Sequence, residues 1–202
     1  MSDQPELARS DAGRERRARS RDPQAKRRKL LDAALAEFAA YGLAGAKLDR
    51  IARAAQVSSG LPYTFWDGKE ALFQAVFADI AQQVAATVPI DADDLPGYAA
   101  RLHDAAAERP DVSRFLAWRR LESGSHQVIA VEESMADKVA AIAAAQHAGT
   151  VTSAMTAGQI LAVVLNTATM WTATAEDLSV LVPPARRRQT VIDAVARLVA
   201  PE

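Results

Sequence analysis

The sequence predicts an all-α fold of about nine helices. Three observations carry that reading. Apolar residues recur at helical spacing along nearly the whole chain, as in Leu31, Ala34, Leu35 and Phe38. Helix-start signals of Asp or Thr followed by Pro, Glu or Gln recur at intervals. No stretch shows sustained period-2 alternation bounded by hairpin turns, so no sheet is expected.

Residues 1–21 are polar and rich in Arg, Asp and Ser. They cannot bury enough apolar surface to fold, and a disordered basic arm is expected there. Arg14, Arg16, Arg17, Arg19 and Arg21 of that arm are suited to tracking phosphates or entering a minor groove. Asp22-Pro23 places an N-cap before a proline at the first helical position. That helix is expected to end at Tyr41-Gly42, glycine supplying a left-handed cap. Short helices follow over about 47–54 and 58–66, with Ser58 as N-cap of the second. Asp67 and Glu70 form a capping-box pattern that opens a long helix to about Thr87. Residues 88–94, with Pro89 and three Asp, read as a linker.

Beyond the linker, helices are expected from Asp94 to about Glu108 and from Asp111 to Glu122, with Pro110 breaking the chain between them. Ser123–Val131 reads as a loop and 132–147 as an Ala-rich helix. Thr156 and Gln159 form a second capping-box pattern at the head of a helix to about Thr174. The last helix spans about 183–199. The 156–174 segment is apolar nearly all round, so more than one of its sides must be covered. The chain thus divides into an arm (1–21), a small helical domain (22–70) and a larger helical domain (71–202).

Composition excludes several classes of function. Half of the 202 residues are apolar, which is ample for a core, and there is no cysteine. Disulfides, thiolate metal sites and a cysteine nucleophile are thereby excluded. Three scattered histidines make no transition-metal site. No nucleophile elbow, phosphate loop, dinucleotide glycine pattern or H-E-x-x-H is present, so no enzyme and no cofactor are expected. No apolar run approaches the roughly 20 residues that span a bilayer, and the first residues hold no apolar signal core. A cytoplasmic protein without a membrane partner is expected. Charge is uneven: residues 1–70 hold 14 Lys/Arg against 10 Asp/Glu, and the rest 10 against 15. A basic front suggests that the first part meets a polyanion.

The informative stretch is Leu48–Lys69. Two short helices joined by Ala55-Gln56-Val57-Ser58, with Ile51, Ala52, Ala55 and Val57 apolar before the turn and Leu61, Pro62 and Phe65 after it, have the spacing of a helix-turn-helix. In such a unit the second helix enters the DNA major groove. Ser58, Ser59, Gly60, Tyr63 and Thr64 are short or hydrogen-bonding groups at its exposed start. The run Ile51-Ala52-x-x-Ala55-x-Val57-Ser58-x-Gly60-x-x-Tyr63-x-x-Trp66-x-x-Lys69-Glu70-x-Leu72 resembles the DNA-binding domain of TetR-type regulators over about residues 24–77.

The resemblance implies a three-helix DNA-binding domain followed by a ligand-binding and dimerisation domain. It implies phosphate contacts from Tyr63 and Lys69, a homodimer held by 156–174 and 183–199, and a sequence-specific repressor of a near-palindromic operator, controlled by a small-molecule effector. Three departures stand out. Gln56 replaces the turn glycine, Ala46 and Lys47 replace a threonine at the head of the first short helix, and Pro62 would fall at the fourth position of a helix begun after Ser58. Lys47 can serve phosphate as a charge where the threonine is missing. His103, Trp118, Asn166, Met170 and Trp171 combine apolar bulk with isolated polar groups and are the candidate effector contacts. Two other readings stay open: a helical small-molecule binder that has lost DNA recognition, and a basic-armed protein that coats DNA without sequence preference.

Overall fold

The computed structural model describes residues 22–122, 129–173 and 180–201. The arginines of the N-terminal arm and His126 lie outside the described residues. Among the described residues there are nine helices and no strand. They are α1 (Pro23–Gly45), α2 (Leu48–Ala54), α3 (Pro62–Phe65), α4 (Gly68–Thr87), α5 (Leu95–Glu108), α6 (Pro110–Glu122), α7 (Ile129–His147), α8 (Ala157–Ala173) and α9 (Pro184–Val199). No described helix is long and apolar enough to cross a membrane.

Local chemistry sets most of the boundaries. The Asp22 side chain accepts from Gln24 N–H at 2.9 Å, with Pro23 opening α1. Asp94 does the same for Gly97 N–H at 2.9 Å at the head of α5. At α8 the capping box is reciprocal. Thr156 N–H donates to Gln159 Oε1 at 2.8 Å, and Gln159 N–H to Thr156 Oγ1 at 3.3 Å.

The structure departs from expectation in three places. The chain does not leave the helical path for good at Gly42. That residue takes φ 66° and ψ −178°, a region open in practice to glycine alone, and a further turn follows to Gly45. The recognition segment is helical only over Pro62–Phe65, not 58–66. Residues 129–131, read as loop, begin α7; the rest of that loop lies outside the described residues.

The chain divides into two compact units at Val76/Phe77, inside α4, six residues beyond the expected 70/71 boundary. In the first unit, α1 contributes Leu30, Leu31, Ala34 and Phe38 to the core, α2 adds Ile51 and Ala52, and α4 adds Leu72, Phe73 and Val76. Phe38 and Phe73 meet edge to face, with centroids 4.9 Å apart and planes at 79°. In the second unit α5 packs on α8 and α9, and α8 is flanked by α7. Tyr98, Ile142, Ile160, Val164, Val191 and Val195 form its centre. The chain end is tied back by Thr152 N–H donating to the Val199 carbonyl at 3.1 Å, and Arg188 of α9 pairs with Asp104 of α5 at 2.9 Å.

Candidate nucleic-acid interface

The turn between α2 and α3 begins as a Schellman motif. Val57 N–H reaches back to the Ala52 carbonyl at 3.0 Å and Gln56 N–H to Arg53 at 3.1 Å. This motif needs a left-handed residue at its fifth position, and Gln56 takes φ 58°, the one non-glycine among the described residues with positive φ. The same motif ends α7, where Thr150 N–H bonds Ala145 and Gly149 N–H bonds Gln146, but there a glycine at φ 75° occupies the strained place. Gln56 therefore carries a strain of roughly 1 kcal/mol. Gln56→Gly is expected to raise stability by about that amount, and Tm by about 2–4 °C for a chain of this length. Thermal melting followed by circular dichroism checks it, and an unchanged or lowered Tm counts against the strain.

After the turn, Ser58, Ser59 and Gly60 are exposed. The expectation that Ser58 caps the second helix is corrected. Leu61 is the N-cap, and the Ser58 carbonyl instead accepts from Leu61 N–H at 3.0 Å in the preceding turn. Pro62 dictates this, because a proline has no amide hydrogen to give in a helix interior and fits without loss at the first position. At the first helical position Pro62 forfeits no helical hydrogen bond, unlike at the fourth. Thr64 is exposed and its hydroxyl donates to the Leu61 carbonyl at 2.8 Å. Tyr63 projects outward, 62% exposed.

Three of the sequence-nominated residues converge. Lys47, Tyr63 and Lys69, with Leu48, Asp49 and Gly68, line a shallow cleft of about 420 Å³. Lys69 Nζ donates to the Ala44 carbonyl at 3.2 Å, a bond that uses one of the three ammonium hydrogens. Ser58, Ser59 and Gly60, on the exposed approach to α3, and Thr64, within it, lie outside the cleft.

Sequence reasoning missed what holds the near side of this cleft. Glu37 of α1 is only 8% exposed. Its Oε1 accepts from Lys47 N–H at 2.9 Å and from Arg50 Nε at 2.7 Å, and it pairs with the same guanidinium through Nη2. Arg50 also donates to the Gly45 carbonyl at 2.8 Å and lies 4.4 Å from the centroid of the Tyr41 ring. The hydrogen bond to Glu37 lifts Arg50 above the ordinary guanidinium range. The sequence held a signal. Position 37 continues the buried stripe of Leu30 and Ala34, where a carboxylate demands a partner.

The effector candidates fall in the second unit. His103 is buried, its Nδ1 3.3 Å from the Ala168 carbonyl of α8. Trp118, Met170 and Trp171 are half-buried. Trp171 Nε1 is enclosed with no hydrogen-bond partner, and the Arg187 guanidinium lies 5.3 Å from the ring centroid. Asn166 does not join them within one chain. It is exposed and donates to the Ala162 carbonyl of its own helix at 2.8 Å. The cause is that one side of α8 is uncovered, with Val163 39% exposed. The structure adds Lys138, buried on the inner stripe of α7 with Ile142 and Ala145 and donating to Ser134 Oγ at 2.6 Å. Burial pushes its pKa down.

Comparison with known proteins agrees with this architecture. Residues 30–76 match the family described as bacterial regulatory proteins, tetR family. Residues 94–197 match the tetracyclin repressor-like C-terminal domain. The chain is 37% identical over 145 residues to the HTH-type transcriptional repressor SCO4008 of Streptomyces coelicolor, covering 70% of this chain and 76% of that one. It superposes on the transcriptional regulator SCO4942 of the same organism with a TM-score of 0.77 at 31% identity, covering 88% of this chain and 99% of the other. FadR of Bacillus subtilis, solved in complex with stearoyl-CoA, shares the fold with a TM-score of 0.66 at 14% identity, over 83% of this chain and 96% of its own. With both of its units matched and more than two-thirds of its length aligned to a named repressor, the chain belongs to the TetR family of bacterial regulatory proteins and is a helix-turn-helix, DNA-binding transcription regulator.

Proposed function

We propose that the protein is a repressor that binds a near-palindromic operator as a homodimer and leaves it when a small molecule occupies the second unit. The observation that carries this reading is the convergence of Lys47, Tyr63 and Lys69 around one exposed cleft beside the start of α3. Two cations and a phenol at that place suit a phosphate, fixing register on the duplex without reading sequence. Ser58, Ser59, Gly60 and Thr64 then face the bases or the adjacent backbone.

One four-residue helix reads too few base pairs for useful specificity, and two related by a two-fold axis read both halves of a palindrome. The uncovered side of α8, with Ala162, Val163 and Asn166 exposed, together with α9, is the face proposed to meet the second copy. His103, Trp171 with its unpartnered Nε1, Met170 and Trp118 are proposed to contact the effector, as is Lys138. FadR, which shares the fold and is described with stearoyl-CoA, sets the precedent for a bound effector. An effector changes DNA affinity only if it prefers one spacing of the two reading heads over the other.

Selection from a random duplex pool at about 0.15 M salt, where non-specific binding is weak, tests this reading. Enrichment of a two-fold symmetric site is expected. A single unpaired half-site would remove the dimer. No enrichment would favour a helical binding protein without DNA recognition, and a steep salt slope without sequence preference would favour a DNA-coating protein.

A further inference from the structure

A helix begins with backbone amides that have no partner inside the helix. In the usual capping box, the side chain at the N-cap bonds the amide three residues on, and a Glu or Gln at that third position reaches back to the N-cap amide. At α2 both local parts are missing. The N-cap is Lys47, whose side chain makes no capping bond, and the third position is Arg50. Yet the Lys47 amide is bonded, at 2.9 Å, by Glu37 ten residues earlier. Arg50, which stands where the box would have its carboxylate, grips the same Glu37 oxygen at 2.7 Å.

We propose that Glu37 and Arg50 form a split capping box, and that Glu37 is a positioning residue for DNA binding because it fixes the backbone from which Lys47 reaches the phosphate. Three further contacts act in the same direction. The Arg50 guanidinium bonds the Gly45 carbonyl, Lys69 bonds the Ala44 carbonyl, and Tyr41 lies against Arg50. The segment 44–47 is thus fastened from both sides by groups of α1, α2 and α4. The carboxylate also stands at the positive end of α2, where a negative charge is favoured. Burial of Glu37 makes the arrangement demanding, since a carboxylate away from water must find donors, here the Lys47 amide and the partly exposed Arg50 guanidinium. A backbone held in one place loses no conformational freedom when the phosphate arrives.

The proposal rests on the operator-binding reading above, with Lys47 as a phosphate contact. The test uses the full chain and the site enriched from the random pool, and measures the slope of log affinity against log salt. Each phosphate contact contributes about −0.9 to that slope, so a dimer losing one contact per half-site loses about 1.8. Lys47→Met is expected to lower the slope by that amount and affinity at 0.15 M salt by roughly 30-fold. Glu37→Gln, which keeps size and removes the charge, is expected to do the same, and the double variant to lose nothing further. Glu37→Gln/Arg50→Glu restores a carboxylate at the third position of α2 and is expected to recover most of the slope, a rescue that a merely structural role for Glu37 does not predict. A folded Glu37→Gln protein with the parental slope, additive losses in the double variant, or no rescue would overturn the proposal. So would a parental slope in Lys47→Met. Should Glu37→Gln fail to fold, the rescue variant and Lys47→Met decide. Absence of any enriched site in the parent protein would instead overturn the operator-binding reading itself.

Discussion

Phe38→Ala is expected to remove much of the stability of the first unit and to weaken operator binding. Phe38 is fully buried on α1 and meets Phe73 of α4 edge to face at 4.9 Å. Truncating a buried phenylalanine costs about 3–5 kcal/mol, in lost transfer free energy and in the cavity left behind. Removing the aromatic pair adds to that cost. Whole small domains are stable by only about 5–15 kcal/mol, and this unit is at the small end of domain size. Urea denaturation followed by circular dichroism, alongside a DNA-binding titration, checks it. A loss under 2 kcal/mol, in line with an easily repacked site, would count against the central place given to this ring.

The second large effect concerns the cleft. Lys47→Met/Lys69→Met removes both cations that line it while keeping side-chain length. In a dimer four phosphate contacts are lost, so the salt slope is expected to fall by about 3.6 and affinity at 0.15 M salt by roughly 10³-fold. The selected sequence is expected to stay the same, because phosphate contacts position the protein without reading bases. A change in sequence preference with an unchanged slope would mean that these lysines face base edges and that the cleft is not the phosphate seat.

Much of the fold is legible along the chain. The starts of α1, α5 and α8 follow from Asp22-Pro23, Asp94 and Thr156–Gln159, each made by partners within three residues. The turn strain at Gln56 was legible only through the resemblance, which has glycine at that place, and the structure supplies the positive φ of 58°. Less was legible at α3. Reading Ser58 as the cap gave weight to a favourable N-cap residue, and the structure gives the decision to Pro62, whose ring and missing amide hydrogen leave it only the first helical position. Asn166 looked like a polar group inside an apolar helix, and the exposure of that side of α8 places it on the surface of the single chain.

While three of the six residues that line the cleft, Lys47, Tyr63 and Lys69, were named beside the family resemblance, the sequence by itself determined the all-α class, the order of the helices and the helix-turn-helix. These depend on periodicity and on interactions that span a turn or less, which neighbouring residues encode directly. The tertiary structure alone decided that Glu37 caps α2 from ten residues away, that Arg50 holds it there, and that Lys69 fastens the Ala44 carbonyl. Such contacts exist only once the chain has turned at Gly42 and α1, α2 and α4 have packed, so the apolar stripe marks Glu37 as needing a partner but no local pattern names which one.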